Sequence, residues 1–119
     1  MSKKILIIDD DSRNIFALKA ILKAKGFETL SAGGMKEAFQ LLKTDKSIGT
    51  ILMDMMMPDM DGYEAIPLIK SDEALKHIPV IAVTAQAMKG DREKCLAAGA
   101  DNYISKPVDI DQLLVLLKE

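Results

Sequence analysis

The 119-residue sequence predicts one doubly wound α/β domain, a five-stranded parallel sheet covered by helices on both faces. Two observations carry this. Short runs rich in Ile, Leu and Val alternate five times with stretches whose apolar residues recur every three or four positions. The short runs are also apolar at nearly every position, so both of their faces must be buried. Right-handed crossovers that place helices above and below a parallel sheet do this.

The first run is Lys4-Ile-Leu-Ile-Ile8, ending in acids. Behind it Asn14, Ala17, Leu18, Ile21 and Leu22 keep helical spacing, which predicts a helix that buries these five and stops at Gly26. A strand from about Phe27 to Ser31 follows, then a Gly33-Gly34 turn, a helix to about Thr44 and a strand near Thr50 to Met53. The alternation continues with a helix over Tyr63 to Lys70, a strand over Val80 to Val83 and a helix over Asp91 to Ala98. Asn102 to Ile104 form the fifth strand, and a last helix starts at Asp109, with Ile110, Leu113, Leu114 and Leu117 as its buried stripe. No repeat, low-complexity tract or linker interrupts the pattern, so one domain spans residues 1–119.

Apolar residues make up 49% and charged residues 29%, a balance that buries a core without disulfides or a structural metal. The 16 basic and 18 acidic residues are interspersed, so no basic stripe exists to neutralise a nucleic-acid backbone. Cys95 is the single cysteine, and Met1-Ser-Lys-Lys leads into a strand rather than a signal segment. No apolar stretch approaches the roughly 20 residues of a spanning helix. A cytoplasmic location without direct membrane contact is expected.

Ligands of such sheets bind where the strands end. The first strand exits through Asp9-Asp10-Asp11, the third through Asp54, the fourth through Thr84 and the fifth through Lys106-Pro107. Singly these are ordinary: Asp11 serves as a helix cap, Asp54 as a turn residue, Thr84 as a strand residue and Lys106 as a solvated lysine. Together, carboxylates converging on one rim repel one another unless a cation compensates, and Lys106 plus a bound metal supply that. Mg²⁺ suits one or two carboxylates with waters and phosphate oxygens, with Asp10 and Asp54 as ligands. A carboxylate nucleophile, metal, hydroxyl and ammonium are the set that phosphoryl transfer uses.

Ile8-Asp9-Asp10, Met53-Asp54, Met57-Pro58, Met60-Asp61-Gly62, Val83-Thr84-Ala85, Ala98-Gly99-Ala100 and Lys106-Pro107 stand in an order that resembles response-regulator receiver domains over the whole chain. The resemblance implies the flavodoxin-like strand order 2-1-3-4-5, for which the chemotaxis receiver is a standard example. It implies that Asp54 accepts a phosphoryl group from a histidine kinase or histidine phosphotransfer domain. Asp10 and the Met56 carbonyl would ligate the metal, and Asp9 would hold a metal-bound water. Thr84 and Lys106 would contact the phosphoryl group, with a cis Lys106–Pro107 bond aiming the ammonium. Tyr103 matches the aromatic switch position, turning inward as Thr84 moves and altering the surface of the fourth helix, fifth strand and fifth helix.

Phe16, with Arg13 and Ala20 beside it, falls opposite the expected buried stripe of the first helix and is a candidate docking face for the phosphodonor, together with Pro107. Val115 and Leu116 are expected outside the last helix, for a downstream protein or a second copy of the chain. Met56 and Gln86 flank the approach of a hydrolytic water, and a thioether there predicts slow self-dephosphorylation. Met53, Met55, Met56, Met57 and Met60 are read as space-filling, Cys95 as a small buried hydrophobe and His77 as a structural loop residue.

Two other functions fit parts of the pattern. A haloacid-dehalogenase-like phosphatase also uses an aspartyl nucleophile with Mg²⁺, but Met56 stands where its second aspartate belongs. A pure interaction module would lack one of the acids or the lysine. An effector domain after the last helix is not expected, and signalling by contact is, either from a free-standing regulator or as the receiver of a hybrid kinase.

Overall fold

The computed structural model describes residues 3–57, 60–84 and 90–117. Strands β1 (Lys4–Ile8), β2 (Thr29–Ala32), β3 (Ile48–Asp54), β4 (Val80–Thr84) and β5 (Asn102–Ser105) alternate with helices α1 (Ser12–Ala24), α2 (Met35–Thr44), α3 (Gly62–Ser71), α4 (Asp91–Ala98) and α5 (Ile110–Leu117). All strand pairs are parallel, in the order β2-β1-β3-β4-β5. No described helix is long and apolar enough to cross a membrane.

Successive side chains of a strand point to opposite faces, and here they separate two cores. Leu6, Ile8, Ile51, Met53 and Ala82 point to the side covered by α2, α3 and α4, where Leu42, Ile66, Ile69 and Cys95 meet them. Ile5, Ile7, Leu52, Ile81 and Ile104 point to the other side, against Leu22 of α1 and Leu113 of α5. In β1 and β4 both faces are buried, which is why these runs carry no polar alternation, whereas the edge strands β2 and β5 are partly buried and include Thr29, Ser31, Asn102 and Ser105.

Three expectations are corrected. β3 begins at Ile48, two residues early, because its pairing with β1 shifts register between Lys4 and Ile5, opposite Gly49. On α1 the sheet-facing residues are Ile15, Leu18 and Leu22, while Ala17 and Ile21 are exposed. The helix is rolled so that the i, i+3, i+7 row faces the sheet, and the Ala17–Ile21 row borders a groove. On α5 the row that packs is Leu113, Leu116 and Leu117, so Leu116 lies against the second core and only Val115, 59% exposed, stands outside. Leu116 sits one i, i+3 step from fully buried Leu113, which fixes it inward.

Candidate functional site

The acids gather where β1 and β3 end. Asp9 and Asp54 are each 4% exposed, whereas Asp10 faces solvent. Local backbone fixes them: the Asp11 N–H donates to Asp9 Oδ1 at 2.8 Å, and the Met56 N–H donates to Asp54 Oδ1 at 3.0 Å. Asp11 caps α1 by accepting from the Arg13 N–H at 2.9 Å, so of the three consecutive aspartates it is the one that plays the ordinary capping role. Asn14 was expected in the core, yet its Nδ2 donates to Asp9 Oδ2 at 3.5 Å. The signal for that contact was available, since a polar residue on an apolar stripe needs a buried partner.

The opposing charge comes from the residue just after β5. Lys106 Nζ lies 3.6 Å from Asp9 Oδ2 and 3.6 Å from Asp54 Oδ1, bridging the two buried carboxylates. Its backbone N–H donates to the Thr84 carbonyl at 2.7 Å, and the Lys106–Pro107 bond is cis. Thr84 is fully buried at the end of β4, in register with Ser105. Burial raises the Asp54 pKa and the Asp9 charge adds to this, against the Met56 N–H and Lys106, which lower it.

Asp9, Asp10 and Asp54 each present a carboxylate oxygen, all within 4.8 Å of one another. Three hard oxygen donors at that spacing, two of them anchored by backbone N–H groups, fit a Mg²⁺-sized cation better than a soft metal. Around them Met53, Met55 and Met57 are buried and Met60 packs on the core, as space-filling residues do. Met56 differs: its side chain is 49% exposed.

A groove of about 450 Å³ opens beside the acids, lined by Asn14, Ala17 and Ile21 of α1 and by Lys106, Pro107 and Val108, with Asp54 among its lining residues. Phe16 projects into solvent, 76% exposed, with Arg13 and Ala20 also exposed on that side of α1. Tyr103 is half-buried against the first core, paired in register with Ala82. His77 is exposed in a turn and Cys95 is buried. Pro58, Ala85 and Gln86 lie outside the described residues.

The family profile for the response regulator receiver domain matches residues 5–118. The chain belongs to that family. Among receivers it is 38% identical over 118 residues to the polar-differentiation response regulator DivK of Brucella ovis, covering 99% of this chain and 95% of that one. It is 32% identical to the receiver domain of a sensor histidine kinase of Pseudomonas aeruginosa, with a TM-score of 0.87 and coverage of 99% and 96%; that structure has a magnesium ion coordinated in the active-site cleft. It is 25% identical, with a TM-score of 0.85 and coverage of 95% and 84%, to the receiver of yeast Ssk1, solved in complex with the histidine phosphotransfer protein Ypd1. This receiver is therefore a signalling module of two-component systems, and nothing supports the dehalogenase-like alternative.

Proposed function

We propose that this receiver takes a phosphoryl group onto Asp54 from a phosphohistidine and passes the signal on by protein contact. The observation that carries the reading is the Lys106 ammonium bridging buried Asp9 and Asp54 beside a third carboxylate, Asp10. Asp10, Asp54 and the Met56 carbonyl would hold Mg²⁺, with Asp9 ordering a bound water. The ion supplies charge neutralisation for the transferred oxygens. An Asp54 oxygen attacks phosphorus, the P–N bond breaks, and its electron pair returns to the imidazole nitrogen. Lys106 then exchanges the Asp54 carboxylate for a phosphoryl oxygen, and the buried Thr84 hydroxyl donates to another. Loss of the Lys106–Asp54 pairing and the dianionic phosphoryl group that replaces the carboxylate couple the site to Tyr103.

The phosphodonor docks on α1 through Phe16, Arg13 and Ala20, beside Pro107; the Ypd1–Ssk1 complex supports a phosphotransfer domain as the kind of partner. Output leaves through α4, β5 and α5, where exposed Val115 offers an apolar contact to a target or a second copy. A cytoplasmic location fits the buried, unpaired Cys95. The exposed Met56 thioether cannot orient a hydrolytic water, so phosphoryl loss is slow; Met56→Asn shortens its half-life severalfold, and an unchanged half-life overturns that point.

The deciding experiment is incubation with acetyl phosphate and Mg²⁺, read by intact mass. A gain of about 80 Da, one PO₃H, is expected. It should vanish in Asp54→Asn and with chelator, and a gain surviving either control overturns the assignment.

A further inference from the structure

Helices α3 and α4 meet at a polar contact that the acceptor chemistry does not use. Asp91, the first residue of α4, is only 5% exposed, yet its Oδ2 has no hydrogen-bond partner among the described residues. Burial without a donor leaves that oxygen's loss of water uncompensated. One turn along the same face of α4, the Cys95 Sγ lies 3.8 Å from the Tyr63 hydroxyl. A thiol is a weak partner for a phenol. Lys94, the adjacent cation, holds its ammonium 5.7 Å from the centre of the Tyr63 ring. Tyr63 therefore has a weak partner engaged while a much stronger acceptor stands vacant one turn away.

Tyr63 also follows directly on the acceptor loop. The N–H of Gly62 donates to the Met55 carbonyl at 3.4 Å, and Met55 is the residue after Asp54. Packing there is tight enough that a Cβ on Gly62 would collide with Met55 Sδ and stand 2.9 Å from its Cε. Pro67 lies inside α3 and lacks the N–H that would bond the Tyr63 carbonyl four residues earlier. The first turn of α3 is thus joined to the phosphoacceptor loop and has one bond fewer to the rest of its helix. Burial, then Cys95, then the Asp91 charge push the Tyr63 hydroxyl pKa up to about 12, so the group keeps its proton and can act as a donor.

We propose that Tyr63 and Asp91 are positioning residues of the switch: when Asp54 carries a phosphoryl group, the Tyr63 hydroxyl leaves Cys95 and donates to Asp91 Oδ2, drawing the start of α4 toward α3. The inference rests on the phosphoacceptor reading above. A hydrogen bond to a carboxylate is stronger than one to a thiol. A bond made only in the phosphoryl-bound state tightens binding of the phosphoryl group by the same factor that it shifts α4.

The test uses the full chain and beryllium fluoride with Mg²⁺ as the phosphoryl mimic, titrated calorimetrically against wild type, Tyr63→Phe, Asp91→Asn and the double variant. Each single change should weaken mimic binding about tenfold. The double should weaken it no further, because both changes act on the same bond: Tyr63→Phe removes the donor, and Asp91→Asn leaves only a neutral amide oxygen in place of the carboxylate. Without the mimic, Asp91→Asn should melt at the same temperature as wild type or higher, since it replaces a buried carboxylate whose Oδ2 has no donor among the described residues. Single variants within twofold of wild type overturn the latch. So does a double variant weakened about a hundredfold, as expected of independent effects, or a fall in resting melting temperature in parallel with affinity, the mark of a packing role. A wild-type chain that does not bind the mimic overturns the phosphoacceptor reading instead.

Discussion

Replacing Lys106 by Met keeps the length of the side chain and removes the ammonium that faces Asp9 and Asp54. At 3.6 Å to each carboxylate and an effective dielectric of about 20, each contact represents about 4 to 5 kcal/mol of direct attraction. Desolvation of the ammonium and the one-quarter of its side chain still in water reduce the net value. Removing one partner from a buried ion pair costs about 3 kcal/mol. For a 119-residue domain that corresponds to a fall in melting temperature of about 10 to 15 °C. The assay is thermal unfolding followed by circular dichroism at pH 7, in low salt with EDTA. Adding Mg²⁺ should then raise the variant's midpoint more than the wild type's, because a divalent ion takes over the same acids. In an Asp9→Asn background the Lys106 effect should roughly halve, since one of two contacts is already gone. A fall below about 3 °C in EDTA, or an undiminished effect in the Asp9→Asn background, refutes the assignment of Lys106 as the compensating charge.

Asp45 accepts from the Ser47 N–H and hydroxyl and pairs with Lys4 Nζ at 2.9 Å; these contacts, Ser47 first, hold its pKa at about 2. A depressed carboxylate stabilises the fold above its unfolded pKa and loses that contribution as pH falls from about 4 to about 2. The gap in melting temperature between wild type and Asp45→Asn should therefore close across that window, and a constant gap counts against the contact. Gly62→Ala forces a methyl against buried Met55 and should destabilise by about 1 to 3 kcal/mol in urea unfolding; a second change, Met55→Ala, should recover part of it. Phe16→Asp, at a position 76% exposed, should leave stability within about 0.5 kcal/mol. It should slow transfer from a phosphorylated histidine phosphotransfer domain about tenfold while labelling by acetyl phosphate is unchanged; equal slowing of both would place Phe16 in the chemistry rather than in docking.

Most of the architecture was legible because strand and helix periods differ and β1 and β4 are buried on both sides along nearly their whole length, so Ile5 to Ile8 and Val80 to Val83 admit only one reading. The strand-end acids and Lys106 were legible for a related reason: charged residues stand out sharply against apolar runs. Helix rotation was harder to read. On α1 and α5 more positions are apolar than one face can bury, so spacing alone could not choose between Ile15 and Ile21, or between Leu114 and Leu116. That choice depends on how each helix lies across the sheet, and it redirects Ala17 and Ile21 to the groove beside Asp54. Asn14 was placed by period and not by chemistry, so its contact with Asp9 was missed. Asp91 and Tyr63 gave no signal at all, because their proximity depends on α3 and α4 packing together across 28 residues of sequence, and single-sequence periodicity does not encode it.

The acceptor site and the α3–α4 contact share a physical logic. A chain selected for stability alone would replace incompletely compensated buried carboxylates with apolar groups, often without loss. Here Asp9 and Asp54 share one ammonium, and Asp91 has no donor for Oδ2 among the described residues. In the switch proposed above, each leaves the resting state short of a partner that another state would supply: a divalent ion at the first, a phenolic hydroxyl at the second. Because an incompletely compensated buried carboxylate raises the free energy of the state that contains it, both features would narrow the gap between resting and phosphorylated conformations in that switch. A small chemical event on one side chain can then repopulate them, whereas a fully satisfied core would hold the resting packing against it.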